Sequence, residues 1–177
     1  MHILLTGLNH KSAPIETREK VYFSKEELSE ALSKMAMRIG DGVILSTCNR
    51  TEMYNLSENP KDTADQARHF LADYHDLNPQ KIYPFLYSHT NAKAVRHLFE
   101  VTSGLDSMIV GEPQILGQVR NALTFAAEQS ALPSSMSRLF HRAIRTGRKV
   151  REETDLGRNP LSIGHAVIQL IQRFISD

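Results

Sequence analysis

Cys48 has the most distinctive chemistry in the sequence: it is the single cysteine of 177 residues and lies in the polar tetrapeptide Thr47-Cys48-Asn49-Arg50. A lone cysteine is more often a small buried hydrophobe than a nucleophile. A structural thiol, however, normally lies inside an apolar run, and this one follows Val43-Ile44-Leu45-Ser46 where the run gives out. Loops carried on a rigid sheet are where reactive groups are displayed. Arg50, two residues on, favours thiolate over thiol. The chemistry expected of such a thiolate is nucleophilic attack.

The second feature is electrostatic. Arg138, Arg142, Arg145 and Lys149 fall at i, i+4, i+7 and i+11, which on a helix gathers them within an arc of roughly 60°. Leu139, Phe140, Ala143, Ile144 and Val150 take the opposite side, and Arg148 and Arg151 broaden the basic one. Most charge runs are solvated helix faces. Here no acidic residue falls between Arg138 and Arg151, so the face suits phosphate contacts that tether without reading sequence and weaken with salt.

The elements that position these residues are readable from apolar runs and turn residues. Ile3–Leu8 reads as a buried strand stopped by Asn9-His10-Lys11-Ser12-Ala13-Pro14. Ser24 and Glu27 form a capping box for a helix to about Ile39, and Gly40-Asp41-Gly42 marks a turn. Val43–Ser46 and Thr51–Leu56 are strands flanking the cysteine. Residues 61–76 read as a helix, Asn78-Pro79 interrupts it, and Leu86-Tyr87-Ser88 is a fourth short strand. From Asn91 the pattern is helical, apart from a loop over Gly104–Pro113 and a break at Leu132-Pro133. The order β-α-β-β-α-β followed by helices defines an α+β fold with a small, mainly antiparallel, four-stranded sheet and a helical C-terminal segment. A boundary is expected at Leu156–Pro160, giving residues 1–157 as one domain and 158–177, with a helix Leu161–Ile175, as a linker to another.

Composition sets the outer limits. At 41% hydrophobic and 23% charged residues the chain has enough apolar material for a core, and its net charge of +1 identifies no partner. One cysteine excludes an intrachain disulfide and a zinc-finger framework. No metal is expected. The N-terminus lacks a secretory signal and no stretch approaches the roughly 20 apolar residues of a membrane span, so the expected compartment is the cytoplasm.

Three blocks carry a resemblance: Gly7-Leu8-Asn9-His10-Lys11-Ser12-Ala13-Pro14, Ser46-Thr47-Cys48-Asn49-Arg50-Thr51-Glu52, and the run from Ser103-Gly104-Leu105-Asp106-Ser107 through Gly111-Glu112-Pro113-Gln114 to Gln118. In this order they resemble the glutamyl-tRNA reductases, over Met1 to about Gly157. The third block alone is ordinary turn chemistry. The resemblance implies that Cys48 attacks the ester of glutamyl-tRNA to give a thioester. NADPH then reduces it to glutamate-1-semialdehyde, the first step of tetrapyrrole biosynthesis by the C5 route. It implies that Thr47, Asn49, Arg50, Ser107, Glu112, Pro113, Gln114 and Gln118 line the glutamate pocket. Arg50 would pair with the γ-carboxylate through its guanidinium fork, and Glu112 would accept from the α-ammonium.

The resemblance also aligns His97 with a family histidine important for activity, as an acid/base or orienting group. On an ideal helix His97 lies roughly 160° from Val95 and off the Val95-Leu98-Phe99-Thr102 stripe, so its plain reading is a solvent-facing side chain. His10 and His89 are better read as structural. The tRNA substrate supplies a reason for the Arg138–Lys149 face. The family's NADPH-binding and dimerisation domains, and an aminomutase that takes the aldehyde, are further implied partners.

A dinucleotide fold needs Gly-x-Gly-x-x-Gly between a strand and a helix. Gly40-Asp41-Gly42 has Leu45 at the third position and precedes a strand, so no cofactor site is expected in this chain. Acylation of Cys48 and slow ester hydrolysis are the activities expected of it. The competing readings are a cysteine hydrolase unrelated to tRNA and a non-catalytic binding module.

Overall fold

The computed structural model describes residues 1–129 and 131–157; the helix expected at Leu161–Ile175 lies outside them. Four strands, β1 (His2–Asn9), β2 (Gly42–Thr47), β3 (Arg50–Ser57) and β4 (Tyr87–Thr90), form one antiparallel sheet in the order β2-β3-β1-β4. Helices α1 (Ile15–Lys20) and α2 (Leu28–Arg38) join β1 to β2, and α3 (Pro60–Tyr74) and the short α4 (Pro79–Ile82) join β3 to β4. Three long helices follow: α5 (Ala92–Ser103), α6 (Gln114–Gln129) and α7 (Ser134–Glu153). The α+β class and the β-α-β-β-α-β order match the expectation. α1 and α4 are additions, and β4 is shifted to Tyr87–Thr90.

β1 and β3 are buried along consecutive residues, which is the pattern of strands covered on both faces. α2 and α3 pack together against the sheet, and α5, α6 and α7 form a second mutually packed layer. Phe140 of α7 meets Tyr54 of β3 edge-on at 5.2 Å. Gly147 permits the α5–α7 approach, since a Cβ there would lie 2.6 Å from the Thr102 carbonyl oxygen. The Ser24–Glu27 box is formed reciprocally, the Ser24 N–H donating to Glu27 Oε2 at 2.8 Å and the Glu27 N–H to Ser24 Oγ at 3.3 Å. α2 and α6, which both pack on β2, are joined by Ser29 Oγ donating to Gln129 Oε1 at 2.6 Å.

Candidate active site

Pairing of Thr47 with Arg50 leaves Cys48-Asn49 as the two-residue turn of the β2–β3 hairpin. Thr47 Oγ1 accepts the N–H groups of Asn49 and Arg50, each at 3.2 Å, a local side-chain staple of the turn. The Asn49 carbonyl accepts from the His10 N–H at 2.9 Å, and the Cys48 carbonyl from Arg18 Nε at 3.2 Å. Arg18 also donates to the Ala13 carbonyl at 2.8 Å and is buried as a clamp between α1, the 9–14 loop and the hairpin. With its backbone tied, the turn leaves the Cys48 side chain exposed. Two cavities meet there. One, of about 430 Å³, includes Arg18, Glu19 and Tyr22; the other, of about 450 Å³, runs between α2 and α6 and includes Gln118.

Behind the hairpin lies a buried polar network. Arg50 and Glu52, two apart on β3, share a face of the sheet, and their side chains are 1% and 0% exposed. Arg50 Nη1 donates to Glu52 Oε1 at 2.9 Å. The same oxygen accepts from Tyr87 Oη at 2.6 Å and lies 2.7 Å from His97 Nε2, while Tyr54 Oη donates to Oε2 at 2.7 Å. Gly7, opposite Glu52 on β1, makes the space: a Cβ there would lie 3.1 Å from Glu52 Cγ and 2.3 Å from the Thr51 carbonyl oxygen. Burial works to raise the Glu52 pKa, but the Arg50 guanidinium and the bonds from His97 and Tyr87 outweigh it and hold the carboxyl well below the usual range. A carboxylate only accepts, so His97 Nε2 carries a proton, and no hydrogen bond to Nδ1 occurs among the described residues.

The three sequence blocks converge on Asp106. Its carboxylate accepts from Asn9 Nδ2 at 3.1 Å and Arg50 Nη1 at 3.1 Å, and pairs with Lys11 Nζ. Its carbonyl accepts from Arg50 Nη2 at 2.6 Å. The loop carrying Asp106 is pinched by the Gly111 N–H donating to the Gly104 carbonyl at 2.9 Å, with both glycines at positive φ (85° and 82°). Burial opposes ionisation of Asp106, and the Lys11 bond and Arg50 charge overcome it, so its pKa is lowered. Arg50 Nε and Ser107 Oγ are buried without a hydrogen-bond partner.

Several expectations change. Arg50 is committed to two carboxylates rather than opening onto a pocket. His97 faces inward, 11% exposed, because the buried side of α5 runs through Ala94, Leu98 and Val101 rather than through half-buried Val95 and Phe99. Arg151 leaves the basic face and donates to the Gly111 and Glu112 carbonyls at 2.8 and 2.5 Å. Arg138, Arg142, Arg145 and Lys149 are exposed on α7, with Lys149 3.7 Å from Glu153.

Thr47, Cys48 and Gln118 share the groove between α2 and α6. Pro113 and Gln114 are exposed at the start of α6, and no hydrogen bond among the described residues joins them or Glu112 to the hairpin. His89 stacks on Tyr87 at 5.3 Å and lies 5.7 Å from His97; burial, then the His97 charge, lowers its pKa. Burial and the Arg50 charge likewise lower that of His10. Glu52, Tyr87, Asp106 and Arg18 build the network and the clamp around the hairpin, and sequence reasoning gives none of them a role; only Glu52 has a local signal, its two-residue strand spacing from Arg50. No cluster of three or more His, Cys, Asp or Glu suited to a metal occurs among the described residues.

An exposed thiol on a stapled hairpin, backed by a buried Arg-Glu-His network, defines a thiol-displaying α+β domain. Residues 6–154 match the family described as Glutamyl-tRNAGlu reductase, N-terminal domain. The glutamyl-tRNA reductase of Marinobacter nauticus is 40% identical over 100% of the chain and 41% of the relative, and that of Heliobacterium mobile 42% identical over 99% and 40%. The structure titled Glutamyl-tRNA Reductase from Methanopyrus kandleri superposes with a TM-score of 0.76 at 34% identity, over 97% of this chain and 39% of that one. The chain belongs to the glutamyl-tRNA reductase family, whose N-terminal domain it matches, and it spans about two fifths of the length of these relatives.

Proposed function

We propose that this chain carries the acyl-transfer half of glutamyl-tRNA reduction. The Cys48 thiolate attacks the ester carbonyl of glutamyl-tRNA, the C–O bond to the terminal ribose breaks, the ribose oxygen leaves and takes a proton from water, and the glutamyl group remains as a thioester on Sγ. The observation that carries this reading is the exposed sulfur on a turn whose backbone is fixed, at the junction of two cavities. A fixed turn costs little reorganisation on substrate approach.

Thr47 and Asn49 shape the turn, and Gln118 lines the groove beside it. The substrate γ-carboxylate reaches Arg50 by exchanging with Asp106, whose carboxylate now occupies the guanidinium. The unpartnered Arg50 Nε and Ser107 Oγ support this, because buried polar atoms without partners are where a ligand gains most by bonding. Glu112, Pro113 and Gln114 follow Ser107 on the same loop and are assigned to glutamate recognition on the family match alone. His97, its Nε2 fixed by Glu52, serves as the orienting or acid/base group through Nδ1. Arg138, Arg142, Arg145 and Lys149 contact tRNA phosphates.

Gly40-Asp41-Gly42 leads into β2 and not into a helix, so the described residues do not fit a dinucleotide cradle. In the whole reductase NADPH supplies the hydride, held by residues other than those described. The whole reductase is expected to work as a homodimer, and its reactive aldehyde product calls for direct transfer to an aminomutase. Where no hydride is supplied, water resolves the thioester slowly and releases glutamate. The test is glutamate release from glutamyl-tRNA. The chain should accelerate it and Cys48→Ser should not; equal rates for both would overturn the assignment.

A further inference from the structure

We propose that Arg151 is a positioning residue: its guanidinium latches the Gly104–Glu112 loop, and the latched loop is what distinguishes charged from uncharged tRNA. This rests on the reading above for the loop's part in holding the glutamyl group, and assigns the device that sets the loop's shape.

The loop has to be held from outside itself. It joins α5 to α6, and its apolar side chains do not anchor it, since Leu105, Met108 and Val110 are 48%, 46% and 59% exposed. Hydrophobic burial therefore contributes little to its order. The first half is fixed by the end of α5. Past Gly104, in the left-handed conformation, the Leu105 and Asp106 N–H groups donate to the Glu100 carbonyl at 2.9 and 3.4 Å. The Asp106 carboxylate then reaches Arg50. The second half is tied back to the first by the Gly111 N–H, and to the rest of the fold by Arg151.

One guanidinium meets both ends of the loop. Nη1 donates to the Gly111 carbonyl at 2.8 Å and Nη2 to the Glu112 carbonyl at 2.5 Å, while a Cβ on Gly104 would lie 2.8 Å from Nη2. The cation thus fills the neck of the loop. A planar fork bonds two carbonyls at once, and the point charge of a lysine has no such fork. Burial lowers the Arg151 pKa, with the Glu112 charge opposing it, while Arg148 and Lys149 stay exposed on the basic face. A cation serving only that face would lie in water beside them. Between its anchors the loop carries Asp106, bonded to Arg50, and Ser107, whose buried Oγ has no partner among the described residues. A shift at the neck displaces both.

The test measures binding of glutamyl-tRNA and of uncharged tRNA to the 177-residue chain carrying Cys48→Ser, so that no thioester forms, with and without Arg151→Ala. The Cys48→Ser chain should prefer the charged form. Adding Arg151→Ala should weaken glutamyl-tRNA binding about tenfold and change that of uncharged tRNA by no more than about twofold. Arg151→Lys should fall between, and ethylguanidinium should restore the Arg151→Ala chain while leaving the Arg151 chain unchanged. Thermal melting checks that each variant is folded; if Arg151→Ala is not, Arg151→Lys carries the same comparison. Equal losses for both tRNAs would make Arg151 a phosphate contact and overturn the proposal. So would an unchanged affinity, or a Cys48→Ser chain with no preference for the charged form. Acylation of the Cys48 chain, measured in parallel, separates the two readings. Acylation without the selective loss removes the latch alone; selective loss without acylation removes the thiol chemistry and leaves glutamate recognition by the loop standing.

Discussion

Replacing Glu52 by Ala removes the acceptor at the centre of the network. Four groups lose a partner at once: Arg50 Nη1, Tyr54 Oη, Tyr87 Oη and His97 Nε2. Breaking a buried ion pair from one side costs about 3–5 kcal/mol, and each orphaned buried donor about 1–3 kcal/mol more. These are not additive, since the Tyr87 and His97 donors share one oxygen with Arg50 and Asp106 still compensates Arg50. A net loss of about 4 kcal/mol is expected, some three powers of ten in the folding equilibrium, against a total stability of roughly 5–15 kcal/mol. With a urea m-value of about 2 kcal/mol/M, the unfolding midpoint followed by far-UV circular dichroism drops by about 2 M. Tyr87→Phe, which removes one donor and orphans nothing, should cost only about 1 kcal/mol. A Glu52→Ala midpoint within about 0.5 M of the parent would refute the view that this network is buried and dry.

Two other outcomes follow from charge and burial. His75 packs against Phe23 at 4.6 Å, its Nε2 is buried without a partner, and burial lowers its pKa. A depressed histidine is neutral in the fold and protonated first in the unfolded chain. Its stability contribution is therefore full above the unfolded value of about 6.5 and declines as pH falls below it; His75→Phe should flatten the decline of Tm between pH 7 and pH 5, and an unchanged slope would remove His75 as its source. Arg142→Glu with Arg145→Glu should weaken tRNA binding at least tenfold at low salt and make log Kd less steep in log salt; a parallel shift with unchanged slope would take α7 off the tRNA path.

Much of this architecture was legible because local signals and the final fold agree. The strands are apolar runs, the capping box closes as spaced, and Cys48 falls on a turn because Thr47 and Arg50 flank it in register. α1 was not legible: Ile15-Glu16-Thr17-Arg18-Glu19-Lys20 has one strongly apolar residue, and what buries Arg18 is hydrogen bonding to the Cys48 and Ala13 carbonyls. A stripe drawn from apolar residues alone puts His97 on the solvent side of α5. The true inner face of α5 includes a polar position, satisfied by Glu52 from another element. Asp106 lay inside a recognised block, but its three partners come from β1, the following loop and β3, a convergence that only tertiary structure brings about. Arg151 reads as one more surface cation until the Gly104–Glu112 loop is folded against the end of α7.

The central claim concerns one sulfur, and the most direct measurement is the intact mass of the protein quenched during incubation with glutamyl-tRNA. One glutamyl group should appear on the parent chain, map to Cys48, disappear on treatment with hydroxylamine, and be missing from Cys48→Ser. A chain that stays unmodified, or a glutamyl adduct that persists in Cys48→Ser, would contradict it.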